Sequence, residues 1–254
     1  MRKIAGIDFS TKSVFLLDLD DTLINTTAAT EWGLRRAYNR LCAEYRGQGS
    51  LCDCLPFADF KKEIYDIYGH GDETGKRFRE IEVAVIEEYC QENLPKKNLR
   101  FSHNLFALAA RLYWDYRDGK NGALMPQPNV YELFQAIKGY GYAYCVTEGR
   151  CNYQHTKLMR TGLESEFEDI IVIKENKERE LKSYVDKMSS ERKIGKTAFV
   201  MIGDSPKDVL AGYNSGIETI RIRNGKHENE MAILEAEESF NSLDRLIERL
   251  RDKK

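Results

Sequence analysis

The chain has 254 residues, enough to bury one large domain or two smaller ones. Its 39 lysines and arginines nearly balance 41 aspartates and glutamates, so it lacks the broad basic footprint of a nucleic-acid binder. Apolar runs such as Val14 to Leu17 are far too short to span a bilayer, and charged residues from Asp8 to Asp20 interrupt anything resembling a leader after Arg2 and Lys3. The expectation is a cytoplasmic protein with no nucleic-acid or membrane partner. Six cysteines lack zinc-like spacing and are expected to be reduced and mostly structural.

The first thirteen residues carry only a short apolar patch, Ile4 to Ile7. Val14-Phe15-Leu16-Leu17 then reads as a strand buried on both faces, as in a parallel sheet covered by helices. It runs into Asp18-Leu19-Asp20-Asp21-Thr22, three carboxylates in four positions followed by a hydroxyl. Ligands of open parallel sheets sit beyond the carboxyl ends of the strands. Crowding like charges there is costly unless a cation or a shared proton relieves them. A bare acidic turn is the competing reading.

From about residue 26 to 117 the apolar spacing is helical. Trp32, Leu34, Tyr38, Leu41 and Tyr45 form one stripe, and Phe57, Phe60, Ile64, Ile67 and Tyr68 a second. Phe78, Ile81, Val85 and Tyr89 make a third, and Leu105, Leu108, Ala109, Leu112 and Tyr116 a fourth. Four helices with short connections predict a compact all-α bundle.

Beyond Pro126 and Pro128 the rhythm changes. Strands are expected over 142–146, 170–173, 198–202 and 219–222, with helices around 133–137, 153–160, 178–188, 209–213 and 242–250. This alternation predicts an α/β fold with a Rossmann-like, doubly wound parallel sheet. The first strand belongs with the later ones, so the predicted division is an α/β core of residues 1–24 and 124–254 interrupted by a helical insertion of residues 25–123.

Other strand ends bring polar groups to the same sheet edge. Thr147 offers a hydroxyl beside the amides of Glu148 and Gly149, Gly203-Asp204-Ser205-Pro206-Lys207-Asp208 offers two carboxylates, and the stretch from Lys174 to Lys177 offers cations. These are the components of metal-assisted phosphoryl transfer, for which Mg2+ is the expected cofactor.

Asp18-Leu19-Asp20-Asp21-Thr22 resembles the first motif of the haloacid dehalogenase superfamily, which includes aspartate-nucleophile phosphatases. Thr147 resembles its second motif, and Gly203-Asp204-Ser205 with Asp208 its fourth. The resemblance implies that Asp18 is the nucleophile, forming an aspartyl-phosphate, and that Asp20 is the general acid and base. It implies Mg2+ held by Asp18, the carbonyl of Asp20, Asp204 and Asp208, with phosphate oxygens held by Thr147 and the amide of Glu148. The motif's lysine is Lys177, at the start of a helix, or alternatively Lys174, attached to the preceding strand. The family's frequent Lys-Pro pair is absent. Asp21 is expected to be structural or a solvated loop charge.

The expected function is a Mg2+-dependent phosphatase for a small phosphorylated metabolite. Asp20 argues against a dehalogenase, whose halide leaving group needs no acid. A phosphomutase, a phosphonate hydrolase, or a weakly catalytic regulatory or binding protein retaining the fold are the alternatives. The helical insertion of residues 25–123 sits where many members of the family carry a cap, so the resemblance implies that this cap selects the substrate, and its sequence carries no legible chemical signature.

Overall fold

A computed structural model describes residues 6–44, 56–59, 61–62, 122–223, 227, 230 and 234–252. It divides into two compact units, one of Met1–Thr27 with Met125–Lys254 and the other of Ala28–Leu124.

In the first unit, Val14, Phe15, Leu16 and Leu17 form strand β1 (Val14–Leu17), each residue at most 1% exposed. Burial on both faces follows from its place in the sheet. The further strands are β2 (Tyr142–Glu148), β3 (Asp169–Ile173), β4 (Phe199–Gly203), β5 (Glu218–Ile222) and β6 (Glu238–Phe240). Their spatial order is β3-β2-β1-β4-β5-β6, and every neighbouring pair is parallel. The order reverses direction around β1, which is the doubly wound arrangement. Helices α2 (Val130–Lys138), α3 (Cys151–Thr161), α4 (Lys177–Arg192), α5 (Pro206–Ser215) and α6 (Leu243–Arg251) follow the alternation expected from the sequence.

Successive strand residues point to opposite faces. Val14 and Leu16 join Tyr144, Val146, Phe199 and Met201 under Leu181, Val185 and Met188 of α4 and Ala211 of α5. The ring of Phe15 lies 6.4 Å from that of Tyr140, just past α2, and α2 in turn packs against β2 and α6. Burying each such large apolar side chain contributes about 1.5–3 kcal/mol. Strand β6 has no counterpart in the sequence reading.

In the second unit, α1 (Thr26–Glu44), whose first two residues belong to the first unit, carries the stripe that includes Leu34 and Tyr38. Tyr38 meets Phe57 edge-on with centroids 5.4 Å apart, and the Arg35 guanidinium lies 4.1 Å from the Phe57 ring centre. Trp32, expected on the apolar face, is 41% exposed. Residues 57–59 and 61–62 are helical, while the rest of the second predicted stripe and all of the third and fourth lie outside the described residues.

Cys145 and Cys151 are free thiols as expected, but Cys42 takes part in a disulfide. Among the described residues no helix is long and apolar enough to cross a membrane.

Candidate active site

The strand register determines which side chains reach the carboxyl edge together. Leu17 is level with Cys145 of β2 and Ile202 of β4, so Asp18 emerges beside the ends of both neighbours. The Asp18 amide extends the ladder by one bond, donating to the Ile202 carbonyl at 2.8 Å. The chain then turns tightly, with the amides of Leu23 and Ile24 both returning to the Leu19 carbonyl. That turn buries Thr22, whose hydroxyl lies 3.2 Å from Asp204 Oδ1 and 3.4 Å from Asp18 Oδ2.

Asp204 follows β4, and its carbonyl accepts a 3.0 Å hydrogen bond from Nε of the buried Arg221. Ser205 caps α5 in a reciprocal box: its hydroxyl accepts from the Asp208 amide, and Asp208 Oδ2 accepts from the Ser205 amide at 3.0 Å. Gly203 makes room for this fold-back, because a Cβ there would lie 2.4 Å from Asp208 Cγ.

Lys177 opens α4, behind Asn176, whose left-handed backbone (φ 62°) and side-chain cap onto the Arg179 amide start the helix. Its ammonium is buried and donates to Asp18 Oδ1 at 2.5 Å and Asp208 Oδ1 at 2.6 Å. Lys174, the alternative, is exposed.

Carboxylate oxygens of Asp18, Asp204 and Asp208 therefore come within 4.8 Å of one another, all buried. Burial, with the charge of Asp208 next, pushes the Asp18 pKa up to about 8 against the opposing pull of Lys177. Burial and the neighbouring Asp18 and Asp208 push Asp204 up to about 9. Burial alone would lower the pKa of Lys177, but the carboxylates of Asp18 and Asp208 outweigh it and hold the lysine protonated. Asp204 Oδ2 is buried and has no hydrogen-bond partner among the described residues. Lys177 pairs with Asp18 and Asp208, and the three carboxyl groups, once ionised, exceed the charge of this one ammonium, an environment suited to a further cation.

Asp20 stands apart from this cluster. Its two carboxylate oxygens accept from Lys157 Nζ on α3 at 2.6 and 2.7 Å, and Thr26 at the start of α1 also donates to it. Gln154 Nε2 bridges Asp20 Oδ2 at 3.3 Å and the Glu148 carbonyl at 2.8 Å. Thr147, at the end of β2, is buried, and Glu148 is half-buried. Asp21 is a buried structural residue rather than a solvated charge, with its Oδ1 accepting from the Thr27 amide at 2.7 Å.

Lys157 and Gln154 are absent from the sequence reading. The buried positions of α3 are Gln154, Lys157, Leu158 and Thr161, a helical stripe in which Leu158 is the sole apolar member. Polar residues in the register where a core stripe belongs were the available signal.

Fold and site together are those of a Rossmann-like α/β protein with acidic and cationic side chains converging at the carboxyl edge of its sheet. Residues 15–222 match the family model of haloacid dehalogenase-like hydrolases, and the chain belongs to that family of enzymes. It is 25% identical over 245 residues to a glyceraldehyde 3-phosphate phosphatase of Methanocaldococcus jannaschii, covering 92% of this chain and 94% of the relative. A glyceraldehyde 3-phosphate phosphatase of Methanopyrus kandleri is 28% identical over 220 residues, covering 84% and 85%. The fold is also similar to the crystal structure of a predicted phosphoglycolate phosphatase from Haemophilus somnus, with a TM-score of 0.58, 15% identity, and coverage of 94% and 98%.

Proposed function

We propose that the enzyme is a Mg2+-dependent phosphatase that hydrolyses a small phosphorylated metabolite through an aspartyl-phosphate on Asp18. The observation that carries this reading is the buried cluster of Asp18, Asp204 and Asp208, with Lys177 paired to Asp18 and Asp208 and with Asp204 Oδ2 lacking a partner among the described residues. Oxygen donors of this kind fit a hard divalent cation. Asp18, Asp204 and the Asp20 carbonyl would hold Mg2+, with Asp208 beside them. The bound ion would neutralise charge on the substrate phosphate.

The residues divide the remaining work. Lys177, the Thr147 hydroxyl and the Glu148 amide hold phosphate oxygens. An Asp18 oxygen bonds to phosphorus as the ester P–O bond breaks, and Asp20 gives a proton to the leaving oxygen. Asp20 then takes a proton from the water that attacks phosphorus, which frees the Asp18 carboxylate and inorganic phosphate. One ester and one water become one alcohol and one phosphate.

The names of both relatives support a three-carbon sugar phosphate, so glyceraldehyde 3-phosphate is the first substrate to test. Phosphate release should require Mg2+, stop in EDTA, and be absent from folded Asp18→Asn protein. Wild-type turnover in Asp18→Asn would remove the covalent mechanism. Metal-independent turnover would remove the ion's role.

A further inference from the structure

We propose that Lys157 is a positioning residue that grips both oxygens of Asp20 and aims that carboxylate at the oxygens between which it moves protons. This rests on the acid/base role of Asp20 proposed above.

The geometry gives Asp18 and Asp20 separate lysines from separate helices. Lys177 on α4 holds Asp18, while Lys157 on α3 holds Asp20. Lys157 is 4% exposed, and among the described residues its one ion pair is with Asp20. Burying an ammonium costs several kcal/mol unless a well-placed anion offsets it. It occupies a core-facing position of α3 that an apolar residue would fill more cheaply.

The grip fixes orientation as well as charge. Contacts of 2.6 and 2.7 Å to the two oxygens constrain the plane of the carboxylate, as one contact would not. Gln154 adds a third donor and ties the same group to the Glu148 carbonyl, beside the proposed phosphate-binding amide. Its orientation is set by the network, because the amide nitrogen faces two acceptors. Gly149 permits this approach: its backbone (φ 146°) suits glycine, and a Cβ would lie 2.7 Å from Gln154 Nε2. The Tyr153 ring supports the ammonium from 4.6 Å.

A residue acting through the general acid matters most when the leaving oxygen needs a proton. An alkoxide needs one, whereas p-nitrophenolate leaves readily as an anion. The test measures kcat/KM for glyceraldehyde 3-phosphate and p-nitrophenyl phosphate in wild-type, Lys157→Met, Lys157→Arg, Asp20→Asn and the Lys157→Met/Asp20→Asn double variant. General acid–base assistance is worth about 100-fold or more. Lys157→Met should lose about that factor on the alkyl ester and at most about tenfold on the aryl ester, with Lys157→Arg recovering part of the loss. In the Asp20→Asn background, Lys157→Met should cost nothing further, since its effect runs through Asp20.

Equal losses on both esters, an unchanged enzyme, or additive losses in the double variant would each overturn the positioning role. Wild-type rates in Asp20→Asn, or no turnover of either ester by the wild-type enzyme, would instead overturn the parent reading.

Discussion

One ammonium serves two buried carboxylates: Lys177 Nζ lies 2.5 Å from Asp18 and 2.6 Å from Asp208. Removing a single partner of a buried ion pair is far more damaging than replacing the whole pair, because an uncompensated charge stays behind. Lys177→Met should therefore destabilise the metal-free protein by about 3–5 kcal/mol in urea denaturation. Exposed Lys174→Met should stay within about 0.5 kcal/mol of wild type. Similar costs at both positions would contradict the arrangement.

The same cluster makes stability depend on pH. Asp18 and Asp204 have folded pKa values raised to about 8 and 9, whereas an unfolded aspartate titrates near about 3.9. Between about pH 4 and these values the folded state holds protons that the unfolded chain has released, so stability falls as pH rises. In EDTA the melting temperature should drop from pH 5 to pH 8. A cation that binds the ionised carboxylates stabilises only the folded state, so Mg2+ should raise the melting temperature more at pH 8 than at pH 5. Thermal scans at both pH values, with and without Mg2+, decide the point, and a metal-free protein that grows more stable toward pH 8 would refute it.

Gly203 connects strand packing to the site. A Cβ at this position would meet Asp208 at 2.4 Å, displacing a carboxylate that both closes the α5 cap and receives Lys177. Gly203→Ala should cost about 1–3 kcal/mol, the range for overpacking, and should also reduce turnover. Gly195→Ala is the control, because its nearest neighbour would be 3.5 Å away and its backbone is extended. Equal behaviour of the two variants in denaturation and phosphate-release assays would show that Asp208 adjusts freely.

The residues reached by sequence reasoning share a physical cause. Val14–Leu17 and Phe199–Gly203 are strands buried on both faces, so their apolar runs stand out, and the carboxylates that end them lie just beyond. β6 is three residues at the edge of the sheet, Glu238-Ser239-Phe240, with no apolar run to reveal it. Lys157 lies 137 positions from Asp20 in the chain, and a single sequence cannot distinguish a lysine buried by such a distant partner from a solvated one. The polar stripe on α3 was visible, but its meaning depended on what the helix faces.

Asp21 has the same cause and offers a separable test. It directly follows the proposed acid/base residue Asp20, yet its backbone is left-handed (φ 58°) and its side chain accepts the Thr27 amide at 2.7 Å, satisfying a donor near the start of α1. Alanine loses the side-chain acceptor, worth about 0.5–2 kcal/mol, and is forced into a left-handed conformation that costs a further ~1–2 kcal/mol. Asparagine keeps an acceptor oxygen and tolerates that conformation. Asp21→Ala should therefore destabilise the protein by roughly 1.5–4 kcal/mol and Asp21→Asn by much less, from the sum of those two effects. Turnover per folded molecule should be nearly unchanged in both, because neither substitution removes a proposed metal, phosphate or proton ligand. Urea denaturation alongside active-site titration separates the two effects. A large fall in turnover for folded Asp21→Asn would place this carboxylate in the chemistry instead.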